Sequence, residues 1–245
     1  MSHDEQIQLI INKLALARQC DPDFKVFGSS AHEYRIGPPL DHATIRQFEL
    51  KYGISLPSDY VAFLTKVGNG APSGSAPAAG PFYGINAFGG DFGPIGGAAS
   101  LSVEPVIHPM LSDDEWQQLS RRVYGDGDDV SEAEYNSEFE HLYAGLLTIG
   151  HQGCQSYHAL VVTGPDKGRV VNVDTDGNKP RFAFENSFLD WYERWLDEIA
   201  SGALLKPQKS WFGYTSVEDF DRAERPEPVL KPVGIARRFL DTFRK

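Results

Sequence analysis

Hydrophobic positions recur at helical spacing through the first seventy residues. The spacing predicts an amphipathic helix over residues 4–19 and a second helix that begins after Asp41 and ends at Gly53. A third helix is predicted to begin at Pro57 and to end at Gly68. Asp is a favoured N-cap, Pro suits a first helical turn, and Gly ends helices because it adopts the left-handed conformation. This part of the chain is therefore predicted to be helical.

Short apolar runs bounded by turn residues replace this pattern further along the chain. Runs at 146–149, 157–163 and 169–173 predict three strands. Their connections are short and rich in Gly, Pro, Asp and Asn, which implies antiparallel pairing. A last helix is predicted over 187–199, and residues 82–85 are predicted to form a short strand within a Gly- and Pro-rich stretch.

An acidic stretch lies between the Gly- and Pro-rich segment and the first of these strands. Two helices are predicted in it, over 113–124 and 131–143. Between Ser112 and Glu140 it holds ten carboxylates against two arginines, so it carries eight of the chain's eleven excess negative charges. A charge run of this kind is either a solvated helix pair that favours solubility or an interface for a basic partner, and the sequence leaves both interpretations open.

Composition limits the location and the partners of the protein. No run of 18 apolar residues predicts a membrane span, and the N-terminus does not resemble a signal peptide. Two cysteines make no disulfide framework, so a cytoplasmic location is expected. A net charge of −11 disfavours direct binding to nucleic acid or to anionic lipid and favours basic protein partners.

A motif in the first half of the chain resembles the opening motif of the SUKH superfamily, which includes fungal cell-wall synthesis regulators and many bacterial immunity proteins. The matching residues are Pro39-Leu40, Ile45, Phe48-Glu49, Tyr52-Gly53-Ile54, Leu56-Pro57, Asp59-Tyr60, Phe63-Leu64 and Gly68-Asn69-Gly70. The second half is similar to the core hairpins and closing helix of that superfamily through Ile149-Gly150, Gly153-Cys154, residues 160–164, Gly168-Arg169-Val170 and residues 187–191. The resemblance spans about residues 37–199.

The resemblance implies an α+β domain, an antiparallel sheet flanked by helices, without catalytic residues. The SUKH-like domain is expected over residues 1–201, with its core at about 37–199 and an acidic helical insertion at about 111–143. A basic, Pro-containing C-terminal extension is expected over residues 202–245, where nine basic residues outnumber six acidic ones.

The implied function is that of an immunity protein, which binds a cognate protein toxin and neutralises it. The alternative is a regulatory scaffold of the cell-wall synthesis regulator type. No cofactor is expected, and the sequence does not indicate an oligomeric state. An acidic surface would suit a toxin that cuts nucleic acid, because such a nuclease needs a basic groove for phosphates. The residues predicted to contact the partner are Asp113, Asp114, Glu115, Trp116, Tyr124, Asp126, Asp128, Asp129, Glu132 and Glu134. Exposed aromatic rings, of Trp116, Tyr124 or Tyr135, are expected to supply apolar anchors.

Two weaker motifs suggest metals. His151, Cys154 and His158 lie within eight residues, but a structural zinc site needs four ligands, so a buried cysteine with two ordinary histidines is the favoured interpretation. Asp174, Asp176, Asn178 and Glu185 match part of a calcium-loop pattern, but Lys179 occupies the position that requires Gly. A hairpin turn explains the same residues, and no metal site is predicted.

Overall fold

The fold is described by a computed structural model that covers residues 2–70, 77–89, 95, 97–125 and 130–206. In chain order its elements are α1 (His3–Cys20), α2 (Ser29–His32), α3 (His42–Tyr52), α4 (Ser58–Lys66), α5 (Asp113–Tyr124), α6 (Glu132–Leu142), β1 (Leu146–Gly153), β2 (Ser156–Val161), β3 (Val170–Asp174), β4 (Arg181–Phe182), α7 (Phe188–Ala200) and a 3-10 helix (Ala203–Leu205). None of these helices is both long and apolar enough to cross a bilayer.

The four strands form one antiparallel sheet in the order β1-β2-β3-β4. Leu147 pairs with Leu160, and Ala159 pairs with Val171, so successive hairpins build the sheet without a crossover. This confirms the antiparallel pairing that the short turns predict. The sequence did not predict β4, which adds two residues to the outer edge of β3.

Helices cover both faces of the sheet because apolar side chains alternate between two cores along each strand. On the first face, Leu147 and Leu160 belong to a core shared with α1, α3, α4 and α7. On the second face, Leu146, Val161 and Val171 belong to a smaller core to which α5 and α6 contribute. The α+β class, an antiparallel sheet flanked by helices, is confirmed.

The helix boundaries follow from the local signals in the sequence. The Asp41 side chain accepts the backbone N–H of Thr44 at 2.7 Å, and Gly53 closes α3 in the left-handed region at φ 66°. A longer-range contact joins two helices of the matching motifs, because the Asp59 carboxylate in α4 accepts the N–H of Leu189 at the start of α7. Asp41, Gly53 and Asp59 therefore stabilise the ends of helices and the contact between α4 and α7.

Helix α1 packs along α7 through a polar seam. The Gln6 amide donates to Asp190 at 2.8 Å and to Glu193 at 2.9 Å, and the Lys13 ammonium pairs with Glu193 and Asp197. Burial opposes the charge on Lys13, but the hydrogen bonds and charges of the two carboxylates outweigh it and raise the pKa of Lys13. The N-terminal helix is thus an integral part of the domain.

The prediction of a short strand over residues 82–85 is wrong. Ile85 makes isolated bridges to Ala78 and Gly150, and Phe82 adopts a left-handed conformation at φ 55°, which belongs to a turn. The short helix α2 was not predicted. The domain boundary expected after residue 201 stays a prediction, since most of the extension, residues 207–245, lies outside the described residues.

Candidate protein-interaction surface

Helices α5 and α6, here called the acidic helix pair, project carboxylates from their first turns. Each helix begins with a capping box in which a serine and a glutamate exchange hydrogen bonds, Ser112 with Glu115 in α5 and Ser131 with Glu134 in α6. These bonds lower the pKa of Glu115 and of Glu134, with the backbone and side chain of the serine as the main causes. Negative charge at a helix N-terminus is also favourable to the helix dipole.

Two further carboxylates of the pair take part in ion pairs. Asp113 pairs with Lys179, which follows the turn between β3 and β4, and Glu138 pairs with Arg122 across the two helices at 3.0 Å. The hydrogen bond and charge of Lys179 lower the pKa of Asp113. Part of the acidic charge of the helix pair is therefore balanced by cations of the domain itself.

Asp114 and Glu132 stand apart from these contacts. Both side chains are exposed, and within the described residues neither takes part in a hydrogen bond or an ion pair. Among the described carboxylates of the predicted contact set, these two are the ones without an intramolecular partner. Asp126, Asp128 and Asp129, which join the two helices, lie outside the described residues.

Trp116 is buried, so the expectation that it is exposed is wrong. Its side chain is 4% exposed in the second core, and its indole N–H donates to the Gly177 carbonyl at 2.9 Å. The reason is helical geometry, since Trp116, Leu119, Ser120 and Val123 occupy the i, i+3, i+4 and i+7 positions of one face. Trp116 attaches α5 to the sheet.

Tyr124 is half-buried and continues this attachment. Its hydroxyl lies 3.0 Å from that of Tyr143, which donates to the Asp174 carbonyl at 2.8 Å. Gly177, at φ 88°, lets the turn approach the Tyr124 ring, because a Cβ there would lie 2.8 Å from the ring. Tyr135 is 39% exposed and stacks on Phe139. Of the three predicted anchors, Tyr135 is the most exposed.

His151, Cys154 and His158 do not converge on a common point. His158 is fully buried and bonds Asn172 at 2.9 Å and Gln152 at 3.1 Å, whereas His151 is exposed and stacks on Tyr83. Cys154 is exposed in the β1–β2 turn at φ 50°, so the expectation of a buried cysteine is wrong, because the turn holds this residue at the end of the hairpin and outside both cores. Within the part of the chain that the structure describes, no group of three or more His, Cys, Asp or Glu side chains is placed to hold a metal ion.

The calcium-like motif forms a turn stabilised by its own carboxylate. Asp174 Oδ1 accepts the backbone N–H groups of Asp176 and Asn178, each at 3.0 Å, and Glu185 pairs instead with Arg194 at 2.6 Å. An Asx turn of this kind accounts for the spacing of the first three motif residues.

The amino-acid sequence matches the model of a known family. The profile of the SMI1 / KNR4 family (SUKH-1) matches residues 39–194, which is more than half of the chain. The chain belongs to the SMI1 / KNR4 family. Neither the curated proteins nor the solved structures yield a match. The SMI1 / KNR4 match begins after α1 and α2 and ends within α7, and it includes the acidic helix pair.

The SMI1 / KNR4 fold of this chain contains buried polar groups that the sequence pattern did not identify. Gln152, His158 and Asn172 form a hydrogen-bonded triad on neighbouring strands, beside the ring of Trp191. Lys179 as the partner of Asp113 was also missed. Of these residues, burial could have been predicted from the sequence only for His158, since residue alternation places it and Leu160 on the same face of β2.

Proposed function

We propose that this chain is a non-catalytic immunity protein that binds a cognate protein toxin in the cytoplasm and neutralises it. The observation that carries the proposal is membership of the SMI1 / KNR4 family (SUKH-1), which often supplies immunity proteins. The acidic helix pair supports it, because Trp116 and Tyr143 fix these helices to the sheet and leave Asp114 and Glu132 directed to solvent. A rigid support with exposed charge is suited to recognition of a folded partner.

The charge of the helix pair favours a basic partner. A toxin that cleaves nucleic acid binds phosphates through a basic groove, and exposed carboxylates that enter such a groove exclude the substrate and speed association. The proposed contact set on the described part of the surface is Asp113, Asp114, Glu115, Glu132 and Glu134. Asp126, Asp128 and Asp129 extend the proposed set, and Trp116 and Tyr124 position it.

Two buried carboxylates in the described residues, those of Asp21 and Asp59, have structural partners, which supports a binding role over a catalytic one. Asp21 accepts bonds from the hydroxyls of Ser29 and Tyr34, and Asp59 accepts the N–H of Leu189. The alternative function is a regulatory scaffold with several partners. The two functions differ in whether one toxin or several unrelated proteins bind the chain.

The test is co-expression with the product of the adjacent gene, which we expect to be a toxin. Cells that express the toxin alone are expected to die, and cells that also express this chain are expected to survive. Replacing both Asp114 and Glu132 by Lys is expected to slow association about tenfold at low salt, with a smaller effect at high salt, because exposed charges steer association. Stopped-flow binding at two salt concentrations measures this effect.

A double charge reversal elsewhere provides the matched control. Asp23→Lys with Glu104→Lys changes the net charge equally at exposed positions outside α5 and α6. It is expected to retain most of the association rate. Equal slowing by both double variants would contradict the acidic helix pair as the contact surface. A non-toxic neighbour, together with co-purification of several unrelated proteins, would favour the scaffold instead.

A further inference from the structure

A polar cleft of about 510 Å³ lies between the start of α5 and the β3–β4 turn. Two cationic side chains line it, Lys179 and Arg181, which are two residues apart on one extended segment. Ser156, Asn172, Val173 and Asn178 also line it, together with the carboxylates of Asp113 and Asp174. The Asp174 carboxylate accepts the backbone N–H groups of Asp176 and Asn178. Lysine and arginine side chains that line one cleft are suited to an oxyanion.

One carboxylate of the lining already pairs with a cation of this cleft. Asp113 reaches from the first turn of α5 and pairs with Lys179, and the positive charge of Arg181 also acts on it. The Asp113 side chain is 79% exposed, whereas that of Lys179 is 34% exposed. The cation therefore belongs to the wall of the cleft, and the carboxylate is the outer and more easily replaced member of the pair.

We propose that this cleft is a carboxylate-binding site, that Asp113 is its internal occupant, and that an external carboxylate takes its place. The internal pair identifies the ligand chemistry, since Lys179 already binds a carboxylate. An exposed pair of this kind is weak and is readily exchanged for a competing ion. Asp113 also belongs to the proposed toxin-contact set, but the ligand of the cleft is a different one, because it is anionic and meets Lys179 and Arg181 rather than the acidic side chains.

The experiment removes the internal occupant and measures acetate binding. Asp113→Asn keeps the size of the side chain and the Ser112 cap while removing the competing charge. Binding is followed by the NMR signal of the Trp116 indole N–H, which bonds to Gly177 two residues before Lys179. Trp116→Phe assigns this signal among the four tryptophans. Acetate is titrated against sodium chloride at equal ionic strength.

Asp113→Asn is expected to half-saturate at an acetate concentration about two- to fivefold lower than the wild type, the range that an exposed ion pair is worth. Asp114→Asn removes the same charge from the next residue, which does not line this cleft, and is expected to behave like the wild type. Adding Lys179→Met to Asp113→Asn is expected to abolish the saturable shift. Thermal unfolding of each variant checks that it is folded.

Three outcomes would overturn the site. The first is equal acetate binding by Asp113→Asn and the wild type, and the second is saturable binding that survives Lys179→Met. The third is an identical shift with chloride alone. Inorganic phosphate is tested in parallel, and a response to phosphate without a response to acetate would overturn the assignment to carboxylates.

Discussion

Trp116→Ala is expected to lower the free energy of unfolding by about 3–5 kcal/mol, the range for removing a buried aromatic side chain. The indole ring fills the second core between α5 and the sheet, and its N–H satisfies the Gly177 carbonyl. The substitution removes both the packing and the hydrogen bond, so α5 loses its main attachment. Urea unfolding followed by far-ultraviolet circular dichroism measures the loss.

Two variants separate packing from hydrogen bonding in this prediction. Trp116→Phe retains most of the apolar ring and removes the indole donor, so the expected loss is about 0.5–1.5 kcal/mol. Gln118→Ala lies on the same helix at an exposed position and is expected to change stability by about 0.5 kcal/mol or less. Wild-type stability of Trp116→Ala combined with loss of toxin binding would instead make Trp116 a partner contact.

Local signals explain why most helices could be predicted. The start of α3 at Asp41 and its end at Gly53 depend on side chains and backbone conformations within one helical turn. The same holds for Ser187, whose side chain accepts the Asp190 N–H at the start of α7. Such signals are contained in a few adjacent residues, so a sequence displays them fully.

Contacts between distant residues explain what could not be predicted. Strand β4 is two residues long, and its pairing with Val171 and Asn172 depends on the free edge of β3 rather than on its own sequence. The pairing of Asp113 with Lys179 likewise requires α5 to lie over the β3–β4 turn. The acidic composition alone therefore could not show which carboxylates have partners within the domain, as Asp113 does, and which have none among the described residues.

The burial of Trp116 is an intermediate case. The helical spacing of Trp116, Leu119 and Val123 is itself the signal of a buried face, despite the many charges around it. Which core this face enters depends on residues distant in the sequence, since Val171 and Val173 of β3 lie in the same core as Trp116. The sequence thus predicts which region carries the acidic charge, and the tertiary structure determines which side chains of that region are buried.

The largest pH effect on stability is expected from two buried histidines. Burial lowers the pKa of His158 to about 3 and that of His32 to about 4. In the unfolded chain both are expected to titrate near pH 6.5. Their pKa values are lower in the folded state than in the unfolded state. As the pH falls below about 6.5, the unfolded chain therefore binds more protons than the folded chain. The free energy of unfolding is therefore highest above that pH, where both imidazoles are neutral in either state, and it decreases progressively below it.

Between about pH 7.5 and pH 5, each histidine is expected to remove about 2 kcal/mol from the free energy of unfolding. Urea unfolding at several pH values measures this slope. His158→Asn retains an amide beside Asn172 and removes the titrating ring, so it is expected to be less stable at pH 7.5 but to lose about half of the pH dependence. His32→Asn is expected to remove the other half. A wild-type slope in both variants would show that other groups control the pH dependence, and that protonation of these two side chains does not oppose folding.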